Sequence, residues 1–278
     1  MKKIFFYSLF IALLYGTACN NNSSTNETAT TITPTNNSFS LEKNGLKLTP
    51  VQSPVFLEAK LDLKSPSKNT ALAVGTNNFE FEVQGYDLGN QTPDATQKSC
   101  ANSAKGQHIH FIVNNEPYNA FYTNKFERDL SEGNNVVLAF LSRSYHESIK
   151  HKNAYVLEQF EVGKTDKNAQ IDVNAPHLFY SRPKGNYIGA ANIEKLLLDF
   201  YLVNTTLAPN GNKVKATING TSFLLSKWQP YFIEGLKEGA VTIDLELVDK
   251  DGKTIVGPFN KVSRTVNLYK EEPMIDKK

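Results

Sequence analysis

Cysteine is nearly absent from this chain. Its 278 residues include two cysteines, Cys19 and Cys100, together with two methionines and one tryptophan. A framework of several disulfides is therefore excluded, and stability must come from apolar cores. After residue 15 the sequence also lacks any apolar run long enough to cross a bilayer.

The sequence motifs of common enzymes are missing as well. The chain contains no Gly-x-Ser-x-Gly, no phosphate-cradling glycine loop and no His-Glu-x-x-His. We therefore predict a non-catalytic protein with no catalytic residues. The formal charge of +2 falls to 0 when residues 1–18, with Lys2 and Lys3, are removed. A neutral chain offers no basic surface for nucleic acid.

The N-terminus has the layout of a secretory signal peptide. The basic "MKK" precedes the apolar "IFFYSLFIALLY", and the small residues of "GTAC" follow. We predict that residues 1–18 are the signal peptide and that Cys19 is the lipid-modified cysteine of an outer-membrane lipoprotein. Residues 19–40 then form an Asn/Ser/Thr-rich flexible tether. Because a glycine, Gly16, stands where a lipobox has leucine, ordinary cleavage after Ala18 is the alternative.

Strand-like runs separated by turn residues fill the rest of the chain. Phe79, Phe81 and Val83 alternate with Glu80 and Glu82, which is typical of a strand with one buried face. Many such runs at regular spacing predict an all-β fold of two tandem immunoglobulin-like β-sandwich domains.

The predicted domain boundaries follow the turn signals. The first sandwich spans 41–162 and the second spans 176–270. The polar segment 163–175 links them, and 271–278 is a tail.

The two halves also resemble each other at a shift of 105 to 106 residues. Residues 130–133 ("LSEG") fall on 236–239 ("LKEG"), and the strand 135–142 falls on 241–248. A tandem duplication of one sandwich explains this likeness. In this alignment His108 and His110 fall on Lys213 and Lys215, so the scaffold itself does not need histidine there.

The stretch "KGQHIHFIVNN" places two histidines on one face of a predicted strand. His108 and His110 point the same way, while Ile109 and Phe111 point the other way. Imidazole pairs of this kind are good ligands for copper or zinc.

Strand pairing predicts which loops meet these histidines. If 108–114 and 135–143 are antiparallel neighbours, the loops 87–107 and 142–153 lie at the same tip of the first sandwich. We therefore predict a metal site for copper or zinc, formed by His108, His110, His146 and Cys100. The alternative is that the strand histidines are polar residues on a half-solvated sheet face.

The same tip carries a second group of candidate residues. Basic and aromatic side chains there suggest a ligand-binding surface for a protein, a peptide or an anionic small molecule. Its predicted members are Lys105, Arg143, Tyr145, Glu147, Lys150 and His151. Binding at this tip is the primary functional hypothesis, with a solvated charged loop as its alternative, and the metal-binding module is the second hypothesis.

Two long stretches resemble a known group of proteins. "CANSAKGQHIHFIVNNEPYNAFY" with "LSRSYHESIKHKNAYV", and "FYSRPKGNYIGAANIEKLLLDFYLVNTTLAPNGNKVKATING", are similar to Bacteroidetes-type lipoproteins of uncharacterised function, some of which carry a phosphopeptide-binding label. The first domain also resembles a bacterial domain family of unknown function with a Gly-x-His-x-His strand. The resemblance covers residues 45–270 and implies the fold and a cell-envelope location, facing the periplasm or the exterior, without an activity.

Overall fold

β-Strands form almost all of the regular structure in the computed structural model, which describes residues 40–98, 101–165 and 170–273. The predicted signal peptide, Cys19 and Cys100 lie outside the described residues. Within the described part of the chain, no helix is both long enough and apolar enough to cross a membrane.

Seventeen strands are present in the described residues, with one short α-helix and one 3-10 turn. In chain order the strands are β1 Leu41–Lys43, β2 Leu46–Pro50, β3 Lys60–Ser65, β4 Gly75–Gln84, β5 His108–Val113, β6 Asn119–Phe121, β7 Lys125–Leu130, β8 Gly133–Ser142, β9 Tyr155–Val162, β10 His177–Arg182, β11 Asn186–Ile188, β12 Lys195–Val203, β13 Lys213–Ile218, β14 Thr221–Leu225, β15 Tyr231–Glu234, β16 Gly239–Val248 and β17 Lys261–Tyr269. The helix α1 is Ala190–Glu194, and the 3-10 turn is Ala95–Gln97.

The first sandwich consists of two facing sheets. Their strand orders are β3-β4-β7 and β6-β5-β8-β9. Apolar side chains at alternate positions, such as Phe79 and Phe81 on β4 and Phe111 on β5, fill the space between them. Phe79 and Phe111 meet edge to face at 4.8 Å.

The second sandwich has two five-stranded sheets. Their orders are β1-β2-β15-β12-β10 and β11-β17-β16-β13-β14. Leu198 and Phe200 of one sheet share a buried core with Ala216 and Leu245 of the other. The prediction of an all-β fold with two immunoglobulin-like sandwiches is thus confirmed.

The N-terminal strands belong to a different sandwich from the one we predicted. We placed residues 41–50 in the first domain, but β2 pairs with β15 of the second, with Leu48 opposite Ile233. Leu46 and Leu48 point into the core of the second sandwich. The alternation in "LKLTP" specifies one buried face but not the sheet that buries it.

The duplication is visible in equivalent hydrogen bonds. Val113 of β5 lies opposite Val137, and Ile218 of β13 lies opposite Ile243. After each strand an asparagine with positive φ accepts a backbone hydrogen bond through its side chain, Asn114 from Val136 and Asn219 from Thr242. The same turn is therefore used in both sandwiches.

The outer face of the β5–β8 sheet packs against the second sandwich. Ile112, Leu138 and Phe140 form a buried cluster with Phe179 and Tyr201, which lie on β10 and β12. All six residues of β5 are buried, because one face lies in the core of the first sandwich and the other in this interface. The predicted linker, of which residues 166–169 are not described, also contributes to the interface. Its residue Ile171 packs against the interface cluster.

Candidate metal centre

The two strand histidines lie on the interface side of β5. Ile109 and Phe111 point into the core of the first sandwich, and His108 and His110 point the opposite way. Both imidazoles are fully buried, at 0% exposure. The expectation of a half-solvated face was wrong, because the second sandwich covers that face.

His146 comes from the loop that follows β8. The loop begins with a tight turn in which the backbone N–H of Arg143 donates to the Glu147 carbonyl and that of His146 donates to the Arg143 carbonyl, at 2.8 and 2.9 Å. His146 has a φ of 66°. Left-handed backbone is uncommon for a residue with a Cβ atom, and such positions concentrate at functional sites.

The ring nitrogens of the three histidines converge on one point. His108 Nε2 lies 2.9 Å from His110 Nε2 and 3.0 Å from His146 Nδ1, and the third side of the triangle measures 3.4 Å. Nitrogens bound to one tetrahedral zinc ion at the usual bond length lie about 3.4 Å apart. The triangle is therefore within a few tenths of an ångström of a set of metal ligands. We call it the trihistidine centre.

Hydrogen bonds at the far side of the rings orient the imidazoles. His108 Nδ1 donates to the Gly106 carbonyl at 2.8 Å, so the Nε2 lone pair of His108 faces the centre. His110 Nδ1 lies 3.4 Å from Ser181 Oγ of the second sandwich. Metal-bound histidines in proteins are commonly held by such bonds from their second nitrogen.

Burial keeps the three imidazoles neutral. It lowers the pKa of His108 to about 4, and together with the positive charge of Arg182 it lowers the pKa of His146 to about 2. The pKa of His110 is held well below its ordinary value, first by burial and then by the neighbouring histidines. Neutral imidazole is the form that binds metal ions.

Tyr118, Arg182 and Lys184 also lie around the centre, and sequence reasoning missed them. The ring of Tyr118 stacks on His110 at 3.6 Å, and its hydroxyl lies 3.3 Å from His146 Nδ1. Arg182 donates to that hydroxyl at 3.0 Å, while Lys184 donates to the Tyr118 carbonyl. Arg182 and Lys184 come from the second sandwich, so only knowledge of the interface could have identified them.

The predicted ligand-binding residues do not form an exposed surface. Arg143 and Glu147 are buried and form an ion pair at 2.8 Å. Tyr145 is also buried and donates to Asp94 at 3.0 Å. These three side chains hold the loop in place, which corrects the expectation of a solvated tip. Lys105 is exposed, with its ammonium 5.4 Å from the Tyr122 ring centroid.

Lys150 and His151 lie farther along the loop. Lys150 is ion-paired with the buried Asp199 of the second sandwich. Both residues line a groove of about 310 Å³ together with Arg143, Glu147 and Trp228. The predicted fourth metal ligand, Cys100, is outside the described residues.

No protein-family model matches this chain, and no curated protein matches it. Among solved structures, it is similar to the fibronectin(III)-like modules of Clostridium thermocellum CbhA, with 12% identity, a TM-score of 0.27, and coverage of 78% of this chain and 99% of that one. A second similar structure is Bacteroides ovatus SGBP-B in complex with a mixed-linkage heptasaccharide, with 10% identity, a TM-score of 0.23, and coverage of 75% and 70%. Likenesses at this level carry no argument about function.

Proposed function

We propose that this chain is a non-catalytic metal-binding module in which His108, His110 and His146 hold one copper or zinc ion. The observation that carries the proposal is the convergence of three neutral ring nitrogens, none more than 3.4 Å from another. Copper and zinc are the ions that imidazole ligands suit best.

Hydrogen bonding among the histidines does not account for all three contacts of this arrangement. Each neutral imidazole carries one N–H, and that of His108 is used on Gly106. At most two protons remain for the three nitrogens that face the centre, so at most two of the three contacts between these nitrogens can be ordinary hydrogen bonds. A bound cation would satisfy all three lone pairs.

Metal content and thermal unfolding of the purified chain test the proposal. At a free metal concentration one hundred times the Kd, the melting temperature should rise by roughly 5–10 °C. His146→Gly should abolish the rise, because it removes one ligand at a position whose backbone suits glycine. His151→Ala is the matched control, since His151 lies on the same loop but outside the centre, and it should keep the full rise.

Equal metal-dependent shifts in the parent and in His146→Gly would contradict the proposal. So would a parent protein whose unfolding is indifferent to both metals.

The groove beside Trp228 is the second candidate site, because it gathers four of the six predicted ligand-binding residues. Its cations are already neutralised, Arg143 by Glu147 and Lys150 by Asp199, which favours the metal site over an anion site. Trp228 is the single tryptophan of the chain. Titration with inorganic phosphate or a short acidic peptide should therefore change its fluorescence saturably if the groove binds such ligands.

The module is proposed to act at the cell envelope through a lipid on Cys19. The support is the signal-peptide layout of residues 1–18 and the polar segment that follows. The Cys19→Ser protein should appear in soluble fractions, whereas the parent should remain with membranes. Equal partitioning of the two would remove the anchor from the proposal.

A further inference from the structure

Among the residues that the structure describes, no negatively charged side chain contacts the trihistidine centre. Across residues 40–98, 101–165 and 170–273, the hydrogen-bond partners of the three imidazoles are one another, Gly106, Tyr118 and Ser181. No carboxylate is among them. The grouped side chains of metal-ligating type in the described residues are the three histidines alone.

Two cations flank the centre instead. The Arg182 guanidinium is one hydrogen bond from the Tyr118 hydroxyl, which itself lies 3.3 Å from His146 Nδ1. The Lys184 ammonium lies 4.4 Å from the centroid of the Tyr118 ring, whose stacking partner is His110. A metal ion at the centre would therefore be repelled by two positive charges.

The charge of the ion decides how large this penalty is. Coulomb repulsion from the flanking cations is proportional to the charge of the ion, so a monovalent ion meets about half the repulsion of a divalent one. The cost of removing an ion from water grows with the square of its charge, so a monovalent ion of equal radius costs about a quarter as much. Both strand histidines are at 0% exposure. Because little water screens the site, the Coulomb repulsion and the cost of dehydrating the ion are both large at this centre.

The number of ligands points in the same direction. Zinc is almost always four-coordinate, so a zinc ion held by three histidines needs a water molecule or another group as its fourth ligand. Cu(I) is a monovalent ion with a filled d shell and is commonly satisfied by three nitrogen ligands. The three imidazoles of the described residues, two of them fully buried and His146 half-buried, therefore suit Cu(I) better than a divalent ion that needs a further ligand.

We propose that the trihistidine centre selects Cu(I) over Zn(II) and Cu(II). This inference rests on the proposed function and names the ion and the oxidation state that the centre holds.

Competition titrations on the purified full-length chain test the selectivity. Cu(I), kept reduced by ascorbate under anaerobic conditions, is competed against bicinchoninate, and Zn(II) and, without ascorbate, Cu(II) are each competed against a chromophoric chelator. We expect a Kd for Cu(I) at least about a hundredfold below that for Zn(II), in line with the charge terms above. X-ray absorption of the copper-loaded protein should show three-coordinate Cu(I) with nitrogen ligands.

A charge variant tests the cause of the selectivity. Lys184→Gln removes one flanking cation without touching a ligand, so the Kd for Zn(II) should fall by about the square of the factor by which the Kd for Cu(I) falls. Lys195→Gln is the control, because the Lys195 ammonium lies over Phe232 and not over a ring that contacts the histidines. Circular dichroism confirms that each variant is folded.

The outcomes separate the two proposals. If the chain binds neither ion, the proposed function itself fails. If it binds Zn(II) or Cu(II) as tightly as Cu(I), or if Lys184→Gln changes the two Kd values by the same factor, the metal-binding function stands and the selectivity for Cu(I) is overturned.

Discussion

The two sandwiches build the same strand and loop with different side chains. At the start of β5, His108 donates to the Gly106 carbonyl at 2.8 Å, and at the start of β13, Lys213 donates to the Gly211 carbonyl at 3.0 Å. The next residue on the same face is His110 in the first sandwich. In the second it is Lys215, which is ion-paired with Glu246.

The loops that follow β8 and β16 are equivalent as well. Ser142 bridges Ser148 in the first sandwich, and Val248 bridges Thr254 in the second. Within these loops His146 has a φ of 66° and the equivalent Gly252 has a φ of 81°. Both sandwiches thus have a left-handed backbone at this loop position. The second sandwich has glycine at the position, and the first has His146.

Burial is the second difference between the repeats. Every residue of β5 is buried, whereas on β13 buried and half-buried residues alternate. The face that carries Lys213 and Lys215 is partly solvated, and the face that carries the histidines is covered by the second sandwich. The first sandwich therefore has two of its three histidines where the interface excludes water, and the third, His146, is half-buried beside them.

The largest expected effect is acid destabilisation of the first sandwich. The folded pKa of His108, about 4, lies below its unfolded value near 6.5. As the pH falls through this window the unfolded chain takes up protons that the folded chain cannot, so stability that is complete above pH 6.5 is lost on the way to pH 4. His108 alone accounts for about 3 kcal/mol of this loss.

Urea unfolding in the presence of a chelator, measured from pH 7 to pH 4, tests this prediction. Hydrogen exchange should show β5 losing protection before β13, because the equivalent face of β13 carries no histidine. A triple variant, His108→Gln, His110→Gln and His146→Gly, should be much less sensitive to pH in this window. The same sensitivity in parent and variant would show that other groups control the acid response.

Exchanging equivalent residues between the two sandwiches should give the next largest change in the free energy of unfolding. His110→Lys places an ammonium at a site with 0% exposure and should lower the free energy of unfolding by about 3–5 kcal/mol. The reciprocal Lys215→His breaks the ion pair with the buried Glu246, which keeps its hydrogen bond from Thr254, and should change stability by about 1 kcal/mol. Denaturant melts at pH 8 measure both, and equal losses would contradict the difference in burial between the two faces.

The loops after β8 and β16 can be compared through the aspartates that pair with their lysines. Asp199 reaches from the second sandwich to the loop of the first, where it accepts from the Ser148 backbone N–H at 3.1 Å and pairs with Lys150. Asp199→Asn should cost about 2–3 kcal/mol, because it removes a fully buried carboxylate and leaves the half-buried Lys150 ammonium without its counter-charge.

Asp199→Asn should also weaken metal binding, since the same loop carries His146. Asp251→Asn is the control: Asp251 lies in the equivalent loop of the second sandwich, in an exposed ion pair with Lys250, and its loss should be about 0.5 kcal/mol or less. Metal affinity and denaturant melts of the two variants are measured side by side. An unchanged metal affinity in Asp199→Asn would show that the loop does not need this contact to place His146.

The alternation of apolar residues and the spacing between the two halves were enough to predict the strands and their duplication. They also predicted that His108 and His110 meet His146. These features depend on local alternation and on the antiparallel pairing of neighbouring strands. The sequence could not indicate that β2 joins the second sandwich, because alternation does not name the partner sheet. For the same reason it could not place Arg182 and Lys184 beside the centre.

The smallest effect concerns the backbone at the equivalent loop positions. His146→Gly relieves left-handed strain of about 1 kcal/mol but adds flexibility to the unfolded chain, so the metal-free protein should be unchanged or more stable by up to about 1 kcal/mol. Gly252→His should cost about 1 kcal/mol. A Cβ atom at Gly252 would meet open space, so this cost is conformational and not steric. Denaturant melts at pH 8 with chelator measure both variants. If His146→Gly instead destabilised the metal-free protein, the imidazole would be holding the interface together by itself, and the reason for proposing a metal at this position would weaken.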